Sequence, residues 1–166
     1  MPEADPLALS VRARLNPERP VPDLLGGAVF AHVSILGPFP PPAEIEGSTL
    51  EALEATCGRL DAFYFTLATL RVFAGGIAYL APQPDGPFRE LMQALSAIAF
   101  GRAEVPEERA TPHVTLAVGM NTDDRLAALE VLTRPALPLT ARASQIDVVF
   151  VESSRRTLVK SFPLRG

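Results

Sequence analysis

Two short segments of the chain repeat the same order of residue types around a histidine. In each segment an imidazole stands two residues before a hydroxyl, and an aliphatic residue follows each of these two polar residues. The segments are His32-Val33-Ser34-Ile35 and His113-Val114-Thr115-Leu116. The chain has two histidines, and each belongs to one of these tetrads. In an extended strand, alternate side chains point to opposite faces, so His32 shares a face with Ser34 and His113 shares one with Thr115. Each tetrad therefore predicts half of a functional site, with its aliphatic residues packed into the core on the opposite face of the strand.

Two imidazoles suit acid–base catalysis at a phosphate ester. Hydrolysis requires one group that accepts a proton from water and another that gives a proton to the leaving oxygen, and histidine titrates near neutrality. Ser34 and Thr115 are able to donate hydrogen bonds to the non-bridging phosphate oxygens. The sequence leaves open which histidine is the base and which is the acid. A structural role for each histidine is the alternative, because a short motif is a hypothesis until its context is known.

The surroundings of the tetrads argue against a metal centre and against a serine nucleophile. Zinc sites normally have three or four protein ligands at short spacings, and no Cys, Asp or Glu lies three or four residues after either histidine. Ser34 is only two residues from His32 on one strand, a poor arrangement for a nucleophile and its own base, and the chain has no Gly-flanked serine elbow. We therefore expect neither a metal nor a cofactor.

Composition limits the class of protein and of ligand. The 166 residues, 48% hydrophobic and 20% charged, predict a single soluble globular domain over 1–166. A net charge of −4 disfavours long nucleic acid as a partner, so a phosphate ligand should be short. Cys57 is the only cysteine, which predicts a buried structural thiol and no disulfide. Because no secretory signal or membrane-spanning run is present, we expect a cytoplasmic protein without membrane association.

Hydrophobic periodicity and the positions of Gly and Pro divide the chain into strands and helices. Proline-rich residues 16–23 predict a loop, Gly37 and Pro38 predict an abrupt end to the first histidine strand, and residues 82–87 predict another loop. Ser48 or Thr49 is the expected cap of the first helix. The predicted strands cover 7–15, 28–36, 63–73, 77–80, 111–118, 139–151 and 157–164, and the predicted helices cover 48–60, 87–101 and a segment from 121–124 to 132.

The two halves of the chain share one order of elements. Each half has a histidine strand, then a helix, then two strands joined by a short connection, although the residues outside the tetrads do not repeat. This order predicts an α+β protein with two lobes and largely antiparallel sheets.

The two tetrads resemble the twin His-x-Thr/Ser-hydrophobic motifs of the two-histidine (2H) phosphoesterase superfamily, which includes 2′,5′ RNA ligases and cyclic nucleotide phosphodiesterases. The Gly37-Pro38-Phe39 exit, the strands at 63–65 and 77–80, and the Thr111-Pro112-His113 approach are similar as well. The resemblance implies two pseudo-symmetric lobes with flanking helices and a central cleft that holds both motifs. It also implies metal-independent opening of a cyclic phosphodiester, with His32 and His113 as acid and base and with Ser34 and Thr115 binding phosphate.

The chain departs from this pattern at two points that bear on the substrate. Ser34 replaces the usual Thr, and Leu116 is followed by Ala117 and Val118 where some RNA-processing members have an arginine. The expected partner is therefore a small nucleotide, a short RNA end or another small cyclic phosphate. Two alternatives stay open: a nucleotide-binding module without turnover, and a ligase that joins RNA ends through 2′,5′ linkages. Two further groups of residues have both a ligand-binding and a structural interpretation. The aromatics are candidates for stacking on a base, with a core position as the favoured interpretation, and the arginines are candidates for phosphate contacts, with exposed surface charge as the favoured interpretation. The aromatics are Phe39, Phe65 and Tyr79, and the arginines are Arg71, Arg142, Arg155 and Arg156.

Overall fold

The computed structural model describes residues 8–17, 32–39, 45–101, 110–152 and 155–166. Within these ranges the chain forms seven β-strands and three α-helices, which confirms the predicted α+β class. The helices are α1 (Gly47–Cys57), α2 (Gly86–Phe100) and α3 (Asp123–Thr133), the last followed by one 3₁₀ turn (Arg134–Ala136). The strands are β1 (Ala8–Pro17), β2 (His32–Phe39), β3 (Phe63–Val72), β4 (Ala78–Gln83), β5 (Val114–Ala117), β6 (Leu139–Glu152) and β7 (Arg155–Pro163).

All seven of these strands belong to one antiparallel sheet, in the order β2-β1-β6-β3-β4-β5, with β7 also paired to β6. The 14-residue β6 holds the sheet together. One of its edges pairs with β1, while the other pairs first with β3 and then with β7. The strands thus form a continuous hydrogen-bonded sheet, and a division into two pseudo-symmetric lobes around a central cleft stays a prediction.

The main hydrophobic cluster of the described residues lies between α1, α2 and one face of this sheet. Phe88 of α2 packs edge-on against Phe65 and Phe63 of β3, with ring centroids 5.0 and 4.8 Å away. Both histidine strands contribute aliphatic side chains to the same cluster. These are Val33 and Ile35 from β2 and Val114 and Leu116 from β5. A single core therefore anchors both tetrads from the same side of the sheet.

Cys57 is a buried thiol in the last turn of α1, as predicted. Its side chain is part of the main cluster, next to Leu53 on the same helix face. Removal from water disfavours the thiolate, and this burial raises the pKa of Cys57 to about 11. The thiol is thus a packing group at neutral pH.

Two prolines lie inside strands that were predicted to end before them. The expectation that Gly37 and Pro38 stop the first histidine strand was wrong, because β2 continues to Phe39, which pairs with Leu9. Since β2 is an edge strand, Pro38 removes no hydrogen bond from an inner ladder. Pro82 lies in β4, across from Leu67 and beside a bulge, beyond the β4 residues that pair with β5. At each of these two positions one edge of the strand has no paired neighbour, so a residue without an N–H is tolerated there.

Two element ends also differ from prediction. Strand β1 continues through Pro17 by pairing with Ala141 of β6, so the loop predicted from residue 16 starts later. Helix α1 begins at Gly47 with Glu46 at the capping position, so Ser48 is inside the helix, where its hydroxyl donates to the Glu46 carboxylate. Helix α3 begins at Asp123, within the predicted range 121–124, and is capped by Thr122, whose hydroxyl accepts a hydrogen bond from Arg125 N. No helix of the described ranges is both long enough and apolar enough to cross a membrane.

Candidate functional site

The first tetrad lies at the start of β2 and shows the predicted alternation. Val33 and Ile35 are 0% and 3% exposed, whereas His32 is half-buried and Ser34 is exposed. His32 and Ser34 therefore project from the sheet face opposite the main core.

The neighbouring strand positions around the first tetrad are polar. In the β1–β2 ladder, Arg14 pairs with His32 and Arg12 pairs with Ser34. Arg12 also pairs with Asp147 of β6. Asp147 is only 5% exposed, and its carboxylate accepts a 2.6 Å hydrogen bond from Ser161 Oγ and a 2.8 Å bond from Gln145 Nε2. The sequence did not single out these positions, because only the strand register places them beside the tetrad.

The second tetrad starts one residue before β5. The strand was predicted from residue 111, but it begins at Val114, so His113 precedes it. Val114 and Leu116 are buried and Thr115 is half-buried, which matches the predicted alternation. Pro112, which lacks an N–H, and a hydrogen bond from His113 back to Thr111 explain the late start of regular pairing.

That hydrogen bond decides which nitrogen of His113 is available for chemistry. The Nδ1 atom lies 2.8 Å from the carbonyl oxygen of Thr111. A carbonyl oxygen only accepts hydrogen bonds, so Nδ1 carries the proton in this contact. In the neutral ring, Nε2 then has the free lone pair, and in the protonated ring it carries the second proton. Nε2 is thus the atom that can take or give a proton at a ligand.

An aromatic pair packs against the His113 ring. Phe73 and Tyr79 are stacked, with their centroids 4.1 Å apart and their planes 19° apart. The imidazole packs edge-on against both rings, with its centroid 5.1 Å from that of Phe73 and 5.7 Å from that of Tyr79 and with interplanar angles of 85° and 71°. Together with the Thr111 bond, this packing limits rotation of the ring. Sequence reasoning missed Phe73, although its position before the Gly75–Gly76 turn was a usable signal, since hairpin register puts it on the same face as Tyr79.

The aromatic and arginine residues named in the sequence differ from one another in their environments in the structure. Phe65 is a core residue, as predicted, but Tyr79 is buried outside the main cluster and contacts His113. Arg142 lies over the Tyr64 ring at 5.6 Å, and Arg71 is exposed on β3. The side chains of Phe39, Arg155 and Arg156 are outside the described residues. No arginine follows Leu116 directly, and Arg125 on α3 donates to Gly119 O at 2.9 Å.

The strands that carry the two tetrads come close together in space. Strands β2 and β5 occupy opposite ends of the strand order, yet their Cα atoms approach within 8 Å. Both strands insert their aliphatic residues into the same core. Their polar residues consequently lie on the opposite face of two neighbouring strands. Among the described residues, no group of three or more His, Cys, Asp or Glu side chains is arranged to hold a metal ion.

Known proteins share this fold. A family model described as the 2′-5′ RNA ligase superfamily matches residues 10–154. Structures of Escherichia coli LigT with NADP+ and with 3′-AMP align with TM-scores of 0.62 and 0.60, at 17% and 18% identity, over 98% of this chain and 100% of LigT. A protein of Thermus thermophilus aligns with a TM-score of 0.60 at 17% identity, over 96% of this chain and 98% of that one. No curated protein sequence matches the chain.

Proposed function

Because the chain belongs to the 2′-5′ RNA ligase superfamily, the group of 2H phosphoesterases predicted from the tetrads, we propose that it hydrolyses a cyclic phosphodiester by two-histidine catalysis. His32 and His113 are the proposed acid and base, and Ser34 and Thr115 are the proposed phosphate-binding residues. The observation that carries the proposal is the approach of β2 and β5 within 8 Å while both strands bury their aliphatic residues in one core.

The proposed reaction moves two protons. One histidine, neutral at the start, accepts a proton from the attacking water as the water oxygen bonds to phosphorus. The other, protonated at the start, gives its proton to the leaving ribose oxygen as the phosphorus–oxygen bond of the ring breaks. The product is a phosphomonoester. The Thr111 bond to His113 Nδ1 supports Nε2 as the reacting atom of that histidine in either role.

The hydroxyls of Ser34 and Thr115 are proposed to donate hydrogen bonds to the non-bridging phosphate oxygens. Both side chains have solvent access, whereas their strand neighbours are buried. Donors fixed on strands stabilise charge that develops on these oxygens, because they need no reorganisation during the reaction.

The proposed ligand is a small nucleotide or a short RNA end. LigT has been crystallised with 3′-AMP, with ATP and with NADP+, which supports nucleotides as the ligand class for this chain. The net charge of −4 disfavours a long polyanion. Steep salt-dependent binding of long RNA with formation of joined ends would instead support the 2′,5′ ligase alternative.

A panel of 2′,3′-cyclic and 3′,5′-cyclic nucleotides, followed by chromatography of the products, tests the reaction. We expect His32→Ala and His113→Ala each to lower kcat by about 10²–10⁴-fold with an unchanged circular dichroism spectrum. The wild-type pH profile should be bell-shaped, since one histidine must be neutral and the other protonated. Full activity in either variant would contradict two-histidine catalysis, loss of activity with a chelator would indicate a metal, and binding without product would indicate a nucleotide-binding module.

A further inference from the structure

Arg71 occupies the same sheet face as Thr115, in a row that crosses three strands. Its Cα pairs with Tyr79 of β4, and Tyr79 pairs in turn with Thr115 of β5. Directly paired residues project from the same face of a sheet. Leu70, the neighbour of Arg71, packs against the main core, which puts Arg71 on the opposite face. Two strand spacings separate the ends of the row by about 10 Å between Cα atoms.

The guanidinium of Arg71 is exposed and has no ion-pair or hydrogen-bond partner within the part of the chain that the structure describes. Several other arginines of that part have one. Arg89 binds Asp85, Arg165 binds Asp61, Arg125 donates to Gly119 O, and Arg59 donates to Thr56 Oγ1. The charge of Arg71 is therefore available to a ligand on the tetrad face.

Tyr79 adds a polar atom between Arg71 and Thr115. The residue is 6% exposed, and its ring is held by stacking on Phe73. Its hydroxyl has no hydrogen-bond partner among the described residues. Every fully buried side-chain oxygen of these residues has such a partner, so the Tyr79 hydroxyl is not fully buried. The small exposed part of Tyr79 thus includes its hydroxyl. The row consequently presents a hydroxyl, a phenol and a guanidinium, all of which donate hydrogen bonds.

We propose that Arg71, assisted by the Tyr79 hydroxyl, binds a second anionic group of the substrate. The preferred substrate would then be a cyclic phosphodiester that carries a further phosphate, with the cyclic phosphate at Thr115 and the second phosphate at Arg71. The inference rests on the proposed function. Arginine suits this role because its planar fork matches two phosphate oxygens. A local contact is also needed, since the net charge of −4 gives no general attraction for anions.

The test compares adenosine 2′,3′-cyclic phosphate with the same nucleotide carrying a 5′-phosphate. We expect the wild-type kcat/KM to be about tenfold higher for the doubly phosphorylated substrate, which is the scale of one charge-assisted contact. Arg71→Gln should abolish this preference while leaving kcat/KM for the singly phosphorylated substrate unchanged. Arg71→Lys should keep part of the preference, and Tyr79→Phe should reduce it by a smaller factor.

Arg59→Gln is the matched control, because it makes the same charge change at an exposed arginine just after α1, on the core side of the sheet. This variant should retain the wild-type preference. An equal loss on both substrates in Arg71→Gln, or an unchanged preference, would overturn the role of Arg71 and leave the two-histidine reaction standing.

A binding measurement tests the role of Arg71 independently of turnover. If the wild type turns over neither substrate, the proposed reaction fails, and calorimetry with adenosine 3′,5′-bisphosphate and adenosine 3′-monophosphate decides the role of Arg71. We expect Arg71→Gln to weaken the bisphosphate about tenfold and the monophosphate not at all. Equal affinities of the wild type and Arg71→Gln for the bisphosphate would overturn the inference.

Discussion

At the scale of single residues, the contacts of His113 explain how a strand end can hold an imidazole in one orientation. One ring nitrogen is bonded to the Thr111 carbonyl, and the ring packs edge-on against Phe73 and Tyr79. An imidazole that is fixed before the ligand arrives loses less rotational freedom when it acts. For the proposed reaction, this packing assigns Phe73 and Tyr79 the role of positioning residues for His113.

Phe73→Leu tests the positioning role. Loss of the aromatic contacts, worth on the order of 1 kcal/mol beyond burial, should lower kcat by roughly fivefold while KM for a cyclic nucleotide changes little. Tyr64→Leu removes an exposed aromatic near the other end of β3, about 30 Å from Phe73, and should leave kcat unchanged. Steady-state kinetics of both variants is the measurement, and a change in KM alone for Phe73→Leu would contradict the role.

At the scale of elements, the β3–β4 hairpin positions the aromatic pair through its turn. Gly76 has φ of +76°, and Met120 N donates to its carbonyl oxygen at 2.8 Å. A Cβ at this position would overlap the side-chain oxygen of Asn121. The hairpin tip is thereby docked on the segment that follows β5, so the turn and the second tetrad form one structural unit.

Gly76→Ala should break this unit. The strained φ and the overlap with Asn121 should destabilise the protein by about 1–3 kcal/mol and also lower kcat, because Phe73 and Tyr79 flank the turn. Gly75→Ala is the matched control, since nothing lies within 4 Å of a Cβ there and its φ is not in the left-handed region. Urea unfolding and activity of both variants check the expectation, and equal stabilities would contradict it.

At the scale of the whole molecule, a shared core and the long strand β6 couple the two tetrads. The cluster that packs behind Val33 and Ile35 also packs behind Val114 and Leu116, and it includes Cys57 of α1. Ionisation of a group inside this cluster should therefore lower the free energy of unfolding of the whole protein.

The Cys57 thiol supplies a pH-dependent test of that coupling. Its pKa is about 11 in the folded chain and about 8.5 in an unfolded one, so above pH ~8.5 only the unfolded state releases the proton. The contribution to the free energy of unfolding is complete below that value and is lost as pH rises towards about 11. Urea titrations across this range should show a steeper decline for the wild type than for Cys57→Ala. Parallel declines would show that the thiol ionises freely in the folded protein.

Local sequence patterns were enough for the elements and for each tetrad taken separately. Alternation along β2 and β5 depends only on the chain's own period of two, so the side chains on the core face and on the polar face followed directly from the order of residues. Pro38 and Pro82 led to strand ends that were predicted too early. The cost of a missing N–H depends on whether a neighbouring strand pairs at that position, and the sequence does not show this.

The order of residues was sufficient to predict the α+β class, the two histidine–hydroxyl pairs, the buried thiol and, through the tetrads, the family. Tertiary structure alone decided that β2 and β5, at opposite ends of the strand order, approach each other. It also decided that Phe73 and Tyr79 pack on His113, and that Arg71 is in register with Thr115. The physical reason is that periodicity is a property of neighbours along the chain, whereas strand register and the approach of β2 to β5 depend on contacts between distant segments, which only the packed core selects.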